Sequence, residues 1–312
     1  MHSAEKETSQ VIQETAGQEL ETTLLRALRL SDPAMSRFDP LRRIISFDTF
    51  ANGYSGWSQL VGNYEDSLDT MLPGYAQHTS PMLSTLSHWD AGSHGAATSS
   101  YALKIATRPV VGAQNVAIKR HTFRKRGPIR FELYFTFKPE ATELQLSETD
   151  VRSVGFLFDL QGGDQDRKDA ERVMPHMRFL NAENGQHAQK WQFKPHTTDF
   201  TPIGDGTKTA SHYHLQPEGW LDLPGGAQNL CYNEIPTKVN WTYLRFDFDL
   251  EDMKALSFQC NDRTFDLSEF ESIRIPAMKN LWCMLNFALF AETDVAKRAF
   301  LYVDSVCISG DF

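Results

Sequence analysis

The feature that most constrains this chain is a strict two-residue alternation of apolar and polar side chains. In "IRFELYFTF", Phe131, Leu133, Phe135 and Phe137 fall on one side and Glu132, Tyr134 and Thr136 on the other. "YLRFDFDL" sets Leu244, Phe246 and Phe248 against Arg245, Asp247 and Asp249 in the same way. Successive side chains of a strand point to opposite faces, so these runs are half-buried antiparallel strands. Similar runs occur at "YALKIAT", "VRSVGFLFDLQ", "HMRFLN", "KWQFK", "KALSFQCN", "LWCMLNFALF" and "AFLYVDSVCIS", separated by turn-rich pieces such as "QGGDQ", "NAENG" and "DLPGG". About ten or more strands, with almost no helix after residue 40, predict an all-β fold: a two-sheet antiparallel β-sandwich of the jelly-roll type.

The exception is the N-terminus. "ELETTLLRALRL" places Leu20, Leu24, Leu25 and Leu28 on one helical face, and Pro33 stops the helix because it disfavours helical geometry at Asp32. The expected organisation is an N-terminal helical arm over residues 1–39 and a sandwich domain over 40–312. The leucine face can cover the chain's own sandwich or a neighbouring subunit, which would make a homo-oligomer.

A 312-residue chain with 21 phenylalanines is large enough for one sizeable β core. Net charge is −9, and the dense basic cluster "KRHTFRKRGPIR", Lys119 to Arg130, stands alone in an acidic chain, so nucleic acid is not an expected partner. The first thirty residues are polar and acidic where a secretory leader would need a basic start and an apolar run, and no segment approaches the roughly 18 apolar residues of a membrane span. Cys231, Cys260, Cys283 and Cys307 are widely spaced with no CxxC pairing. They read as reduced thiols of a cytoplasmic protein, three of them buried.

The opener "ISFDTFANGYSGWSQL", the strand pair "WTYLRFDFDLEDMKALSFQCNDRTFDL" and the closing "FLYVDSVCIS" resemble the concanavalin A-like lectin/glucanase sandwiches and related carbohydrate-binding jelly rolls. "LPGGAQNLCYNEIPTKVNW" is similar to a stretch of an uncharacterised family of bacterial and fungal proteins. The resemblance implies that a small saccharide or glycoside is handled on the concave sheet.

The polar sides of four strands supply candidates for that face: Glu132 and Tyr134, Ser153 and Asp159, His176 and Arg178, Gln192 and Lys194. Glu132, Asp159 and His176 are the candidates for proton transfer, Arg178 and Lys194 for neutralising negative charge, Tyr134 and Gln192 for hydroxyls. The competing reading is an ordinary solvated sheet face. "RFELY" resembles the Arg-x-Glu strand of jelly-roll alginate lyases, without their Gln-x-His and Tyr-Lys-Tyr strands. "RFDFDLED" alternates two carboxylates, without the Glu-x-Asp-x-x-Glu arrangement of a retaining glucanase.

Trp57 and Trp89, with Tyr54 and Tyr64, lie in a long loop segment among Asn, Asp and His, where rings can stack on sugars or plug the end of the sandwich. Asp48 and Asp304 fall on the first and last strands, expected to be neighbours; they can share a structural Ca2+ or be plain edge charges. His212 and His214 alternate on one side, and with Glu218 they offer a two-histidine, one-carboxylate site for a divalent transition metal; otherwise they wall the cleft. The spacing from Gly206 to Gly225 resembles the first motif of the cupins, whose second motif is absent downstream. These readings lead to a sugar-binding sandwich used as an enzyme of the glycoside hydrolase or lyase type. A non-catalytic carbohydrate-binding module and a metal-dependent cupin-like enzyme stand as alternatives.

Overall fold

The structure is a computed structural model that describes residues 22–60, 78–84, 99, 101–123, 125–140, 148–162, 171–198, 214, 217–230, 240–277 and 283–312. The strands are β1 (Arg43–Asp48), β2 (Ser58–Gln59), β3 (Met82–Ser84), β4 (Ala102–Ala106), β5 (Gln114–Thr122), β6 (Pro128–Pro139), β7 (Val151–Leu157), β8 (Asp159–Gln161) and β9 (Glu171–Met174). They continue as β10 (His176–Glu183), β11 (Gln186–Lys194), β12 (Leu221–Ala227), β13 (Thr242–Asp249), β14 (Lys254–Cys260), β15 (Arg263–Asp266), β16 (Ile273–Pro276), β17 (Met284–Thr293) and β18 (Ala299–Gly310).

They form the expected two-sheet sandwich. An eight-stranded sheet runs β15-β14-β13-β6-β18-β4-β3, with β1 also on β18. A ten-stranded sheet runs β12-β11-β10-β7-β17-β8-β9-β16, with β5 on β17 and β2 on β5. The alternation read in the sequence sets the inner faces. Phe131, Leu133, Phe135 and Phe137 of β6 and Leu244, Phe246 and Phe248 of β13 are buried against Phe156, Phe158, Phe179, Trp191 and Phe287 of the other sheet. Phe131 stacks on Phe287 at 5.2 Å, and Phe156 meets Phe246 at 5.0 Å. Each such ring stabilises the fold by about 1.5–3 kcal/mol relative to exposure. Trp191, the largest fully buried side chain, donates its indole N–H to Gln228 Oε1 at 2.9 Å, and Gln228 donates to the Cys260 carbonyl.

Local chemistry explains three departures from regular strands. Asn184 and Gly185 both have positive φ, 53° and 74°, which gives the two-residue turn that matches strand twist and joins β10 to β11. The piece "DLPGG", expected as a turn, is instead part of β12. Its pairing jumps from Gln192↔Asp222 to Lys190↔Ala227, so Pro224 and Gly225 bulge outward from an edge strand, where a proline breaks no ladder, and Gly226 turns back against the Trp191 carbonyl. In β18 the register shifts between Val303 and Ser305. Leu301 and Val303 before the shift and Val306 and Ile308 after it all reach the core, because the bulge absorbs Asp304 as an extra residue.

Among the described residues the N-terminal helix covers 22–31, with Leu24 and Leu28 exposed at 57% and 67%. Expected helix over residues 1–21 lies outside them. A 3-10 turn, Met35–Arg37, follows, and Phe38 continues in extended conformation across the outer face of the eight-stranded sheet. There Met35 and Phe38 are buried with Cys307 against Phe47, Tyr134 and Tyr243. Cys260, Cys283 and Cys307 are free and buried as expected; Cys231 lies outside the described residues. The basic cluster is broken up by pairing. Lys119 is buried on Asp48, and Arg130 binds Asp247 and Asp39. Among the described residues no helix is long and apolar enough to cross a membrane.

Candidate functional site

On β10 and β11 the residues facing away from the core are His176, Arg178 and Leu180, paired with Lys194, Gln192 and Lys190. On the other side of β10, Gly155 of β7 pairs with Arg178, and Phe290 of β17 pairs with Gly155. One polar row therefore crosses the outer face of the ten-stranded sheet. Ser153 Oγ donates to Glu292 Oε2 at 2.6 Å, and Glu292 lies 3.7 Å from the Arg178 guanidinium. Arg178 Nε donates to Gln192 Oε1 at 2.8 Å, and Gln192 Nε2 donates to Asp222 Oδ1 at 2.8 Å. Lys190 closes the row on Asp222 at 2.7 Å.

Gly155 has a steric reason to be glycine. A Cβ there would stand 2.2 Å from the Met177 carbonyl and 2.7 Å from the Arg178 Cα, both backbone. Residues 217–220, which lead into β12, lie beside this row. The half-buried Trp220 ring has the Arg178 guanidinium 4.5 Å and the Lys194 ammonium 5.6 Å from its centroid. Lys194 Nζ donates to the His214 carbonyl at 3.3 Å, and the rings of His214 and His176 meet edge to face at 6.1 Å.

Burial sets the protonation of these groups. His176 is pushed down to about 3, by burial first and the Lys194 charge second, against an opposing backbone hydrogen bond at Phe158, so it is neutral at neutral pH. Lys194 is lowered to about 8 by burial and then by Arg178, with Glu218 opposing. Arg178 falls to about 10 through burial, with Glu292 as the main opposing charge. The face thus gathers an amide, two carboxylates and the Arg178 cation in one bonded row, with the Trp220 ring and the Lys194 cation beside it and a buried, neutral imidazole at its edge. Such a set offers donors, acceptors and a ring face together, and in Lys194 it holds an amine whose pKa is lowered to about 8.

A match to the family described as domain of unknown function DUF6772 covers residues 25–312. The chain belongs to this family. No curated protein matches the DUF6772 chain. Among solved structures it is similar to a legume lectin-like domain from Entamoeba histolytica, at 9% identity and TM-score 0.36, over 68% of this chain and 84% of that one. It is also similar to peanut lectin, at 8% identity and TM-score 0.37, over 81% and 95% of the two chains. A third is a mutant of the alginate lyase Aly36B in complex with alginate trisaccharide, at 10% identity and TM-score 0.37, over 74% and 98%.

Of the residues expected at one site, the DUF6772 structure joins His176, Arg178, Gln192, Lys194 and His214, with Glu218 exposed nearby. It separates Glu132 and Tyr134 from them. β6 pairs with β13 and β18 in the other sheet, so its polar side faces the opposite outer surface of the sandwich. Glu132 is wholly buried there, accepting from the Asp39 N–H at 2.8 Å and the Tyr243 hydroxyl at 2.6 Å. Asp159 is held by Arg172 at 2.7 Å and 3.0 Å and makes no described contact with the row. Trp57 is 3% exposed, packs in the core and donates its indole N–H to Asp48, so it plugs the sandwich instead of offering a stacking surface. Trp89 and His212 lie outside the described residues.

β1 does lie beside β18, but Asp48 is bound by the Lys119 ammonium at 2.5 Å and 2.7 Å, and Asp304 by the Arg37 guanidinium at 2.9 Å. Each acid already has its own cation, so the pair does not fit a shared Ca2+. Among the described residues no group of three His, Cys, Asp or Glu side chains is placed to hold a metal ion. The row's Trp220, Asp222 and Glu292 were not singled out from the sequence. Their local signal was an aromatic closing "SHYHLQPEGW" and a carboxylate ending the apolar run of β17.

Proposed function

We propose that the chain binds a carbohydrate on the outer face of the ten-stranded sheet, with Trp220 as the stacking ring and Arg178, Gln192, Asp222 and Glu292 directed at ligand hydroxyls. The observation that carries this reading is the Trp220 ring seated beside Arg178 and Lys194 at the end of a hydrogen-bonded row of amide and carboxylate groups. Sugar rings offer an apolar face for such a ring and a rim of hydroxyls for such a row. Titration calorimetry of the full chain against a panel of neutral and acidic oligosaccharides tests it. A hit should weaken at least about tenfold in Trp220→Ala, the loss expected for a ligand-stacked aromatic, and persist in Glu132→Gln. Equal binding by Trp220→Ala and wild type would remove this face as the site.

A second reading, that bound sugar is also turned over by a hydrolase or lyase reaction, is favoured by Lys194, which burial brings to about 8. Its free amine is the base form, so turnover should rise as pH increases through about 8 and vanish in Lys194→Met. A sugar that binds with no turnover at any pH leaves the non-catalytic module.

A further inference from the structure

Glu132 and Tyr134 of β6 lie under the N-terminal arm, and the way the arm is held there is informative. From Arg37 to Leu41 the sandwich grips its main chain. The Tyr134 hydroxyl donates to the Arg37 carbonyl at 2.8 Å, and Glu132 accepts from the Asp39 N–H at 2.8 Å. Arg130 donates to the Asp39 carbonyl at 2.5 Å, and Ser309 Oγ accepts from the Leu41 N–H at 2.9 Å. Side chains add specificity. The Arg37 guanidinium lies 4.1 Å over the Tyr134 ring and 2.9 Å from Asp304. Phe38 inserts edge-on between Phe47 and Tyr134 at 5.8 Å and 5.4 Å, and the Asp39 carboxylate reaches Arg130 and Arg245 at 3.0 Å and 3.7 Å.

Side chains of a sheet reading every second main-chain group of an extended segment, with an apolar anchor between, is how a domain holds a peptide ligand. Two observations make the present occupant an imperfect one. Glu132 Oε2 and Arg37 Nη1 are buried without a hydrogen-bond partner, a state that costs free energy and weakens the present grip. The helix upstream adds little hold, because Arg29 ties it to the carbonyls of Pro40 and Arg42 on the arm itself, and Leu24, Leu28 and Leu30 face solvent.

We propose that the outer face of β6, β13 and β18 is a docking groove for an extended Arg-Phe-Asp segment of a separate protein, occupied in cis by residues 35–41 as a displaceable strap. The charges match that occupant: Asp304 takes the arginine, Arg130 and Arg245 take the aspartate, and the pocket around Cys307 takes the ring.

The probe is a fluorescein-labelled heptapeptide, Met-Ser-Arg-Phe-Asp-Pro-Leu, titrated by anisotropy into the full-length chain. Phe38→Ala should bind it more tightly than wild type by about tenfold or more, the factor that losing one buried ring implies. A peptide with Ala for Phe should not bind. In the same variant Cys307, mapped by mass spectrometry after maleimide labelling, should become reactive and regain protection on adding the peptide. If Phe38→Ala does not fold, amide exchange in the wild-type chain serves: saturating peptide should expose the Asp39 and Leu41 amides while β6 stays protected. Cys307 that stays protected in a folded Phe38→Ala chain, or that reacts without peptide protection, overturns the proposal. Strap amides unmoved by peptide in the wild-type chain do so as well. A wild-type dimer in light scattering that dissociates on adding the peptide would assign the groove to a second copy and overturn its assignment to a separate partner.

Discussion

The ion pair between Lys119 and Asp48 is the sharpest quantitative test of this sandwich. Lys119 sits on β5 of the ten-stranded sheet and Asp48 on β1 of the eight-stranded one, so their contact staples the two sheets. Their side chains are 8% and 5% exposed, and Asp48 also accepts the Trp57 indole N–H at 2.9 Å. Among the described residues, Lys119→Met leaves a buried carboxylate whose remaining hydrogen-bond partners are Trp57 and Ser46, and Asp48→Asn takes away the carboxylate that pairs with a buried ammonium. Breaking a buried pair from one side costs about 3–5 kcal/mol, because the survivor keeps its desolvation penalty. Removing both charges together should cost far less, about 1–2 kcal/mol, since the carboxamide replacing the Asp48 carboxylate would still accept from Trp57 and methionine fills the lysine's volume. The assay is equilibrium urea unfolding of the two single variants and the double variant. A coupling free energy of several kcal/mol is expected. Single variants within about 1 kcal/mol of wild type would mean that the pair behaves as a surface contact and would refute the reasoning. A midpoint that fell in EDTA would instead point to a metal staple.

Three further outcomes follow from the polar row. His176 has its pKa lowered to about 3 in the folded chain. Below its ordinary value the unfolded chain takes up a proton that the folded chain refuses, so this group should cost up to about 1.4 kcal/mol of stability per pH unit as pH falls from about 6.5 toward 3. His176→Leu should flatten that slope in urea midpoints measured from pH 7 to pH 4, and an unchanged slope would count against the assignment. Lys194, lowered to about 8, is penalised while charged, so stability should rise between pH 8 and about 10.5. Lys194→Met should remove the rise and be at least as stable as wild type at pH 7, as read by thermal unfolding at both pH values. Gly155→Ala, whose new Cβ would meet backbone at 2.2 Å, should destabilise by about 3 kcal/mol or more in urea; a change below about 1 kcal/mol would contradict the geometry.

The fold was legible because the alternation of β6 and β13 is a local property: each residue's side of the strand follows from its neighbours alone. Which strands lie side by side is not local. Glu132 and His176 read alike, polar residues on amphipathic or near-amphipathic runs, and nothing in either run states that β6 joins β18 while β10 joins β7. The candidates that did come together, His176, Arg178, Gln192 and Lys194, belong to one hairpin, where a tight turn fixes the partner strand. The pairing of Trp57 and Asp48 is hidden for a related reason: the lysine that buries them comes from 71 residues away. Trp220 escaped because its place beside Arg178 and Lys194, distant in sequence, is announced by no period in the chain.

The bulge in β18 has a consequence for how this chain tolerates change. A strand that seals the core along its whole length is read in steps of two, and one inserted residue would ordinarily turn everything after it inside out. Here the bulge absorbs Asp304 as the one extra residue, so Val306 and Ile308 face the core with it in place, and deleting it would leave a regular strand with the same residues inward. A substitution at Asp304 would lose its bonds to Arg37 and Ser305. The residue the core can do without is the one that reaches out to the arm, so losing it would cost the arm its Arg37 pair and leave the core's phase intact.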